Sequence, residues 1–261
     1  FTEGAFKLNK GTGMASAVMP YYTISTGIDP SGKNVGNSFS KYIITDLLRN
    51  KYNYNGVVCT DWNITYDNKA IDAFDGKCWG MEELTVAQRH YECLKAGIDQ
   101  FGGNNDKLPV LEAYQMGVKE HGEEWMRNRM EMSARRLLMN IFRVGLFENP
   151  YADETLSAQV DYAPEHLAAA KEAAVQSAIL LQNNNNVLPL DKAKTILVTG
   201  PLADAPYEQM GTWSFDGQKE HTVTPLTALR EEYNVIWVPG LEYSRDKSTA
   251  QFSKVRSAAA N

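Results

Sequence analysis

The sequence predicts an α/β protein in two parts, on three observations. Apolar runs too short for helices alternate with stretches of helical periodicity. Those runs are apolar along their whole length, as parallel strands covered by helices are. An acidic, proline-bearing stretch without periodicity, residues 148–164 (ENPYADETLSAQVDYAP), then separates the first part from the second.

In chain order, residues 15–22 (ASAVMPYY) read as a strand, and residues 39–49, with Phe39, Ile43 and Leu47 four apart, as a helix. The unit recurs: 56–61 (GVVCTD) is a β-branched run, and 86–95 is a helix that ends at Gly97. A third strand is expected over 98–101, ahead of Gly102, Gly103 and two asparagines. Helices near 108–118 and 123–142 follow, the second with Met126, Met130, Ala134, Leu137, Leu138 and Ile141 on one face. Such units fit a barrel or a doubly wound sheet. The long insertion 62–82, rich in Asp, Asn, Gly and Trp, is of the type that builds active sites at the C-terminal face of a (β/α)8 barrel, and favours the barrel.

Beyond the linker, Leu167, Ala170, Ala174, Ala178 and Leu181 form a narrow helical stripe suited to close packing, and the run Asn183 to Asn186 reads as a turn. Residues 195–199 (TILVT) are a strand, Thr224-Pro225 opens a helix, and 235–238 (VIWV) is the next strand, which makes one βαβ unit. The tail ending in SAAAN reads as a helix cut in its middle. The resulting division is 1–147, a linker 148–165, and 166–261.

Composition removes several classes of function. Twenty-six basic against thirty-two acidic residues give a net charge of −6, so the basic footprint of a nucleic-acid binder is missing. No uncharged apolar run approaches the roughly 20 residues of a bilayer span, and mean hydropathy is −0.40, so no membrane partner is expected. No signal peptide is visible after Phe1, and the true start is expected to have been removed by processing or truncation. Cys59, Cys78 and Cys93 show no CxxC spacing, and His90, His121, His166 and His221 form no HxxxH pair. Neither a metal nor a cofactor is expected. Gly11-Thr12-Gly13 fails the dinucleotide pattern, Gly200-Pro201 lacks a Walker lysine, and GxSxG does not occur. Asn63-Ile64-Thr65 matches a glycosylation acceptor only formally.

Among the carboxylates Asp61 stands out, because it ends a buried strand and opens the long loop. That placement suits a nucleophile or general base, and equally a capping aspartate. Trp62 beside it offers an aromatic face of the kind that walls a sugar site. Asp99 ends the next strand, while Asp67, Asp72, Asp75, Glu82 and Glu83 crowd the intervening loop and read as solvated or capping groups.

The segment 56–62 (GVVCTDW) resembles the nucleophile strand of glycoside hydrolase family 3, whose β-glucosidase branch reads GxVxSDW. In order around it, Ala17 to Tyr22 with 37–49 is similar to the family's VMxSYN loop and TDxLR helix, and 96–103 (AGIDQFGG) to its AGxDxxxP segment. Residues 144–151 (VGLFENPY) resemble its barrel exit, 173–190 (AAVQSAILLQNNNNVLPL) its linker helix, and 196–204 with 210–217 the start of its α/β sandwich domain. The likeness runs from about residue 15 to residue 240.

The resemblance implies the C-terminal part of a (β/α)8 barrel followed by the N-terminal part of an α/β sandwich. It implies a retaining, exo-acting β-glycosidase with Asp61 as catalytic nucleophile, Trp62 as a wall of the sugar site and Tyr22 as a neighbour of the nucleophile. Terminal non-reducing β-D-glucosyl residues of oligosaccharides, or an aryl glycoside, are the expected substrates. A β-xylosidase of the same family, or a catalytically incomplete glycan-binding or structural module, is the alternative. The acid/base glutamate is expected after Asn261 and a Lys-His sugar-binding pair before Phe1, so the isolated segment is expected to be inactive. A periplasmic or secreted location is expected over a cytoplasmic one. Departures from the family pattern are Pro20-Tyr21 for small residues, Thr60 for serine, and 100–103 (QFGG) for an acidic, proline-ended loop. The Asp-Trp pair itself argues against the N-acetylhexosaminidase branch.

Overall fold

Residues 13–67 and 77–260 are described by a computed structural model of the chain. It divides into two units, Phe1–Ala158 and Gln159–Asn261. Gly11, Thr12, Asp72 and Asp75 lie outside the described residues, as does the middle of the 62–82 loop.

In the first unit, β1 (Ala17–Val18) pairs in parallel with β2 (Val57–Val58), Ala17 opposite Val57 and Val18 opposite Val58. The expected eight-residue first strand is cut to two. Pro20 has no N–H to give to a ladder, and Tyr21 sits at φ +63°, which turns the chain out of extended geometry. The third expected strand survives as one parallel bridge, Cys59 to Gln100, with Asp99 N–H donating to Val58 O at 2.8 Å and Thr60 N–H to Gln100 O at 2.9 Å. Three chain segments thus run side by side in the predicted order. Val57, Val58 and Ile98 are almost wholly buried there, in a core that includes Phe39, Ile44, Tyr54, Ile64 and Cys93.

Four helices cover this edge. The first, α1 (Tyr42–Lys51), is wound with wide π-type turns, Tyr52 N–H reaching Leu47 O, where an α-helix was expected. The next, α2 (Val86–Ala96), begins in a capping box, Thr85 Oγ1 accepting from Gln88 N–H while Gln88 Oε1 accepts from Thr85 N–H, and stops at left-handed Gly97 as expected. Then come α3 (Leu108–His121) and α4 (Glu123–Arg143). A Cβ on Gly117 of α3 would lie 2.4 Å from Met126 Sδ, so only glycine permits this approach to α4.

The predicted apolar face of α4 needs correction. Met126 is fully buried, but Ala134 and Leu138 are exposed, and the rest of the buried face carries Arg129 and Ser133. Those polar groups turn inward because a buried carboxylate, Asp99, waits for them. The expected linker is also partly helical: Asp153 Oδ1 accepts from Thr155 N–H at 3.0 Å and opens α5 (Glu154–Val160). None of its residues is buried, which is why no apolar stripe marked it in the sequence.

In the second unit, α6 (Pro164–Ser177) stops short of the expected helix, which ran to Leu181: Ala178 is already extended, and Leu167, Ala170, Ala174, Ala178 and Leu181 are exposed, not packed. The asparagine run is the expected turn, with Asn185 and Asn186 left-handed at φ +58° and +52°. β3 (Thr195–Thr199) pairs in parallel with β4 (Asn234–Val238), Thr195 opposite Asn234 through Thr199 opposite Val238. Between them lie a single turn, α7 (Pro206–Gln209), and α8 (Pro225–Glu232), the latter capped by Thr224 Oγ1 on Thr227 N–H and anchored by fully buried Leu226. α9 (Phe252–Ala259) ends the described chain. The βαβ unit is as predicted.

Candidate active site

β2 continues through Cys59 and Thr60 into Asp61, so the carboxylate sits on the last rigid point of a buried run. Asp61 is 6% exposed, and its Oδ1 accepts from Trp62 N–H at 2.8 Å. Beside it comes Tyr22, delivered by the loop after β1. The Tyr22 hydroxyl stands between the Trp62 carbonyl, to which it donates at 3.1 Å, and the Asp61 carboxylate. Burial, together with the hydrogen bond to Asp61 and its charge, pushes the phenol up to about 12, so it stays a donor throughout the neutral range. Burial and the same carboxylate raise the Cys59 thiol, which keeps it protonated.

Trp62 is 49% exposed: one side of the indole is open and the other is occupied. A Cβ on Gly103 would come within 2.7 Å of Trp62 Cδ1, and one on Gly102 within 3.1 Å of Cε3. The glycine pair is therefore the bed on which the ring lies. Gly102 is itself fastened to the strand, its N–H donating to Thr60 Oγ1 at 2.8 Å and its carbonyl accepting from Asn63 N–H at 3.0 Å. Tyr21 is exposed at the rim, its ring centroid 6.0 Å from that of Tyr22.

The structure thus brings together Asp61, Trp62 and Tyr22, the three residues singled out from the sequence. The remaining acidic residues separate into different roles. Glu82 caps Gly80 N–H at 3.0 Å and is held below the usual carboxylate range by backbone hydrogen bonds. Asp67 pairs with Arg89 at 2.6 Å. Asp99, at the end of the next segment, is neither solvated nor a cap. It is buried and accepts from Arg49 at 2.6 Å, Arg136 at 2.9 Å, Ser133 at 2.7 Å and Val58 N–H at 3.0 Å.

Two residues that sequence reasoning passed over organise the loop after Asp61. Arg89, 1% exposed on α2, donates to the carbonyls of Thr65, Met81 and Glu82 as well as to Asp67. It clamps both ends of the long insertion to one helix. Next to it, His90 Nδ1 meets Val86 O at 2.8 Å, and its Nε2 faces Asn104 Nδ2 at 2.9 Å and Thr65 Oγ1 at 3.4 Å. Within the formal glycosylation pattern Asn63 is half-buried and Thr65 is 1% exposed. Among the described residues no group of three or more His, Cys, Asp or Glu side chains forms a metal site.

A family model described as the glycosyl hydrolase family 3 C-terminal domain matches residues 178–261. The periplasmic β-glucosidase/β-xylosidase of Dickeya chrysanthemi is 34% identical over 219 residues, covering 78% of this chain and 32% of that protein. The chain belongs to glycoside hydrolase family 3. Probable β-glucosidase C of Aspergillus oryzae is 36% identical over 181 residues, 68% of this chain and 27% of that one. The crystal structure of a Listeria innocua β-glucosidase with isofagomine shares the fold at a TM-score of 0.60 and 24% identity, over 87% of this chain and 30% of that one. The chain therefore spans between a quarter and a third of the length of these relatives.

Proposed function

We propose that this chain carries the nucleophile of a retaining, exo-acting β-glycosidase that removes terminal non-reducing β-D-glucosyl residues from oligosaccharides. The observation that carries the reading is Asp61, a carboxylate fixed at the end of a buried strand, with a tyrosine hydroxyl on one side and a half-open tryptophan face on the other. In the proposed mechanism Asp61 attacks the anomeric carbon and forms a glycosyl ester, the sugar lies against Trp62, and Tyr22 keeps the carboxylate aimed. A second carboxyl group, about 5–5.5 Å from the first in retaining enzymes, donates the leaving-group proton and then activates water. We place it outside these 261 residues, as the family resemblance implies. The same reading assigns 1–147 to the closing part of a (β/α)8 barrel, 148–165 to a linker and 166–261 to the opening part of an α/β sandwich. A periplasmic place is supported by periplasmic relatives in Dickeya chrysanthemi and Salmonella typhimurium. No described helix is long and apolar enough to cross a membrane.

The test is to inactivate the full-length protein with a 2-fluoro aryl glucoside and map the modified peptide. A label on Asp61 is expected; a label on any other residue sinks the assignment. β-Xylosidase action is a second reading, favoured by relatives named for that activity. The ratio of kcat/KM for aryl glucoside and aryl xyloside decides between the two sugars. Turnover of an activated aryl glycoside that is lost in Asp61→Ala favours the enzyme, whereas no turnover by the full-length wild type would point to a glycan-binding module.

A further inference from the structure

The Trp62 indole has a definite seat, and the seat is built from parts that α2 holds in place. The glycine pair under the ring is followed directly by Asn104, whose Nδ2 lies 2.9 Å from His90 Nε2 and 3.3 Å from Thr65 Oγ1. His90 is wholly buried, and its Nδ1 lies 2.8 Å from the Val86 carbonyl, which has only lone pairs to offer. The proton of the neutral ring therefore sits on Nδ1, and Nε2 is left as an acceptor for the Asn104 amide. Asn104 Oδ1 is buried with no partner among the described residues, so the amide is held through its donor side.

From these contacts we propose that Asn104 is a positioning residue which, through neutral His90, fixes the Gly102-Gly103 bed and so the attitude of the Trp62 face. The inference rests on the reading above only in taking Trp62 as a sugar wall. The mechanical chain is short: His90 on a capped helix, Asn104 on His90, the glycine pair on Asn104, and the indole on the glycines.

The arrangement has a built-in direction with pH. Protonation of His90 would put an N–H on Nε2, facing the N–H2 of Asn104, and two donors cannot share that contact. Burial favours the neutral ring and lowers the His90 pKa, while the Val86 carbonyl and the negative charge of Asp106 oppose that shift. The other groups facing the imidazole are the edge-on Tyr66 ring at 5.8 Å, Phe101 at 4.4 Å and the Thr65 hydroxyl. Arg89, on the same helix, is engaged with the Thr65 carbonyl and Asp67. The lowered pKa means the contact is intact above the ordinary histidine value and is lost as pH falls through the folded one.

The test uses the full-length protein labelled with 5-fluorotryptophan, the Trp62 19F resonance being assigned by its loss in Trp62→Phe. Asn104→Ala is expected to shift or broaden that resonance, and to raise KM for an aryl glucoside about fivefold with kcat within about twofold. The nearly isosteric Asn104→Asp keeps the shape but reverses the chemistry, since a carboxylate pairs with protonated His90 and not with the neutral ring. Its Trp62 resonance should approach the wild-type position as pH falls, while the wild type departs from its own. A Trp62 resonance unchanged in Asn104→Ala, or parallel pH responses in wild type and Asn104→Asp, overturns the proposal. The 19F measurement needs no turnover, so it stands even if the glycosidase reading fails.

Discussion

Asp61 and Asp99 are both buried carboxylates at the ends of neighbouring parallel segments, yet their surroundings differ in kind. Asp99 has each of its roughly four acceptor positions filled: Ser133 and Arg136 on Oδ1, Arg49 and Val58 N–H on Oδ2, with Arg129 a further 3.7 Å from Oδ1. Arg129 in turn donates to the carbonyls of Leu94 and Ile98. That cluster welds α1 and α4 to the strand edge and leaves no lone pair for a substrate. Asp61 accepts from the Trp62 N–H, has the Tyr22 hydroxyl beside it, and keeps acceptor capacity to spare. Burial alone does not separate the two carboxylates; the number of partners already satisfied does.

This contrast is most directly broken by removing each carboxylate in turn. Asp99→Ala leaves buried guanidinium groups without their counter-charge and is expected to cost about 3–5 kcal/mol, read as a lowered urea midpoint. Asp61→Asn should stay within about 1 kcal/mol of wild type in the same measurement. Equal losses would erase the distinction drawn here.

A smaller effect sharpens the Asp61 side. The Tyr22 phenol, raised from 10.0 to about 12, contributes stability that is present below pH 10 and is lost as pH rises through about 12. Tyr54 and Tyr91 are also raised to about 12, so titration followed by phenolate absorbance should show a late group of tyrosines of which Tyr22 alone moves down in Asp61→Asn. It should not return fully to 10, because burial is the largest cause of the shift. The smallest effect lies in the second unit, where Thr224→Ala removes an N-cap and should cost about 1 kcal/mol, visible as faster amide exchange at Thr227.

What the sequence revealed depended on how local the cause was. The α8 cap at Thr224, the left-handed asparagines and the Gly97 stop are decided within a few residues, and each was legible. The strand β1 was over-extended because Pro20 was counted as apolar when its missing N–H mattered more. On α4 the spacing of Arg129, Ser133 and Arg136 was visible as a line of polar residues. Only the fold supplies the buried carboxylate that turns the line inward. Asp61, Trp62 and Tyr22 were found through strand ends and family likeness, and the structure brings them into contact. Arg89, His90 and Asn104 were not, since their partners lie across the fold and no short pattern announces them.

Arg89 also bears on how such a protein can change. One side chain grips the carbonyls of Thr65, Met81 and Glu82, so both feet of the loop after Asp61 are tied to the same helix. Chain strung between fixed feet is tolerant of length, with each doubling adding only about 0.6 kcal/mol of closure entropy. Insertions and deletions could therefore accumulate a few residues from Asp61 without moving it. A bracket of this kind lets a lineage rewrite the loop beside Asp61 while the strand end behind it stays put.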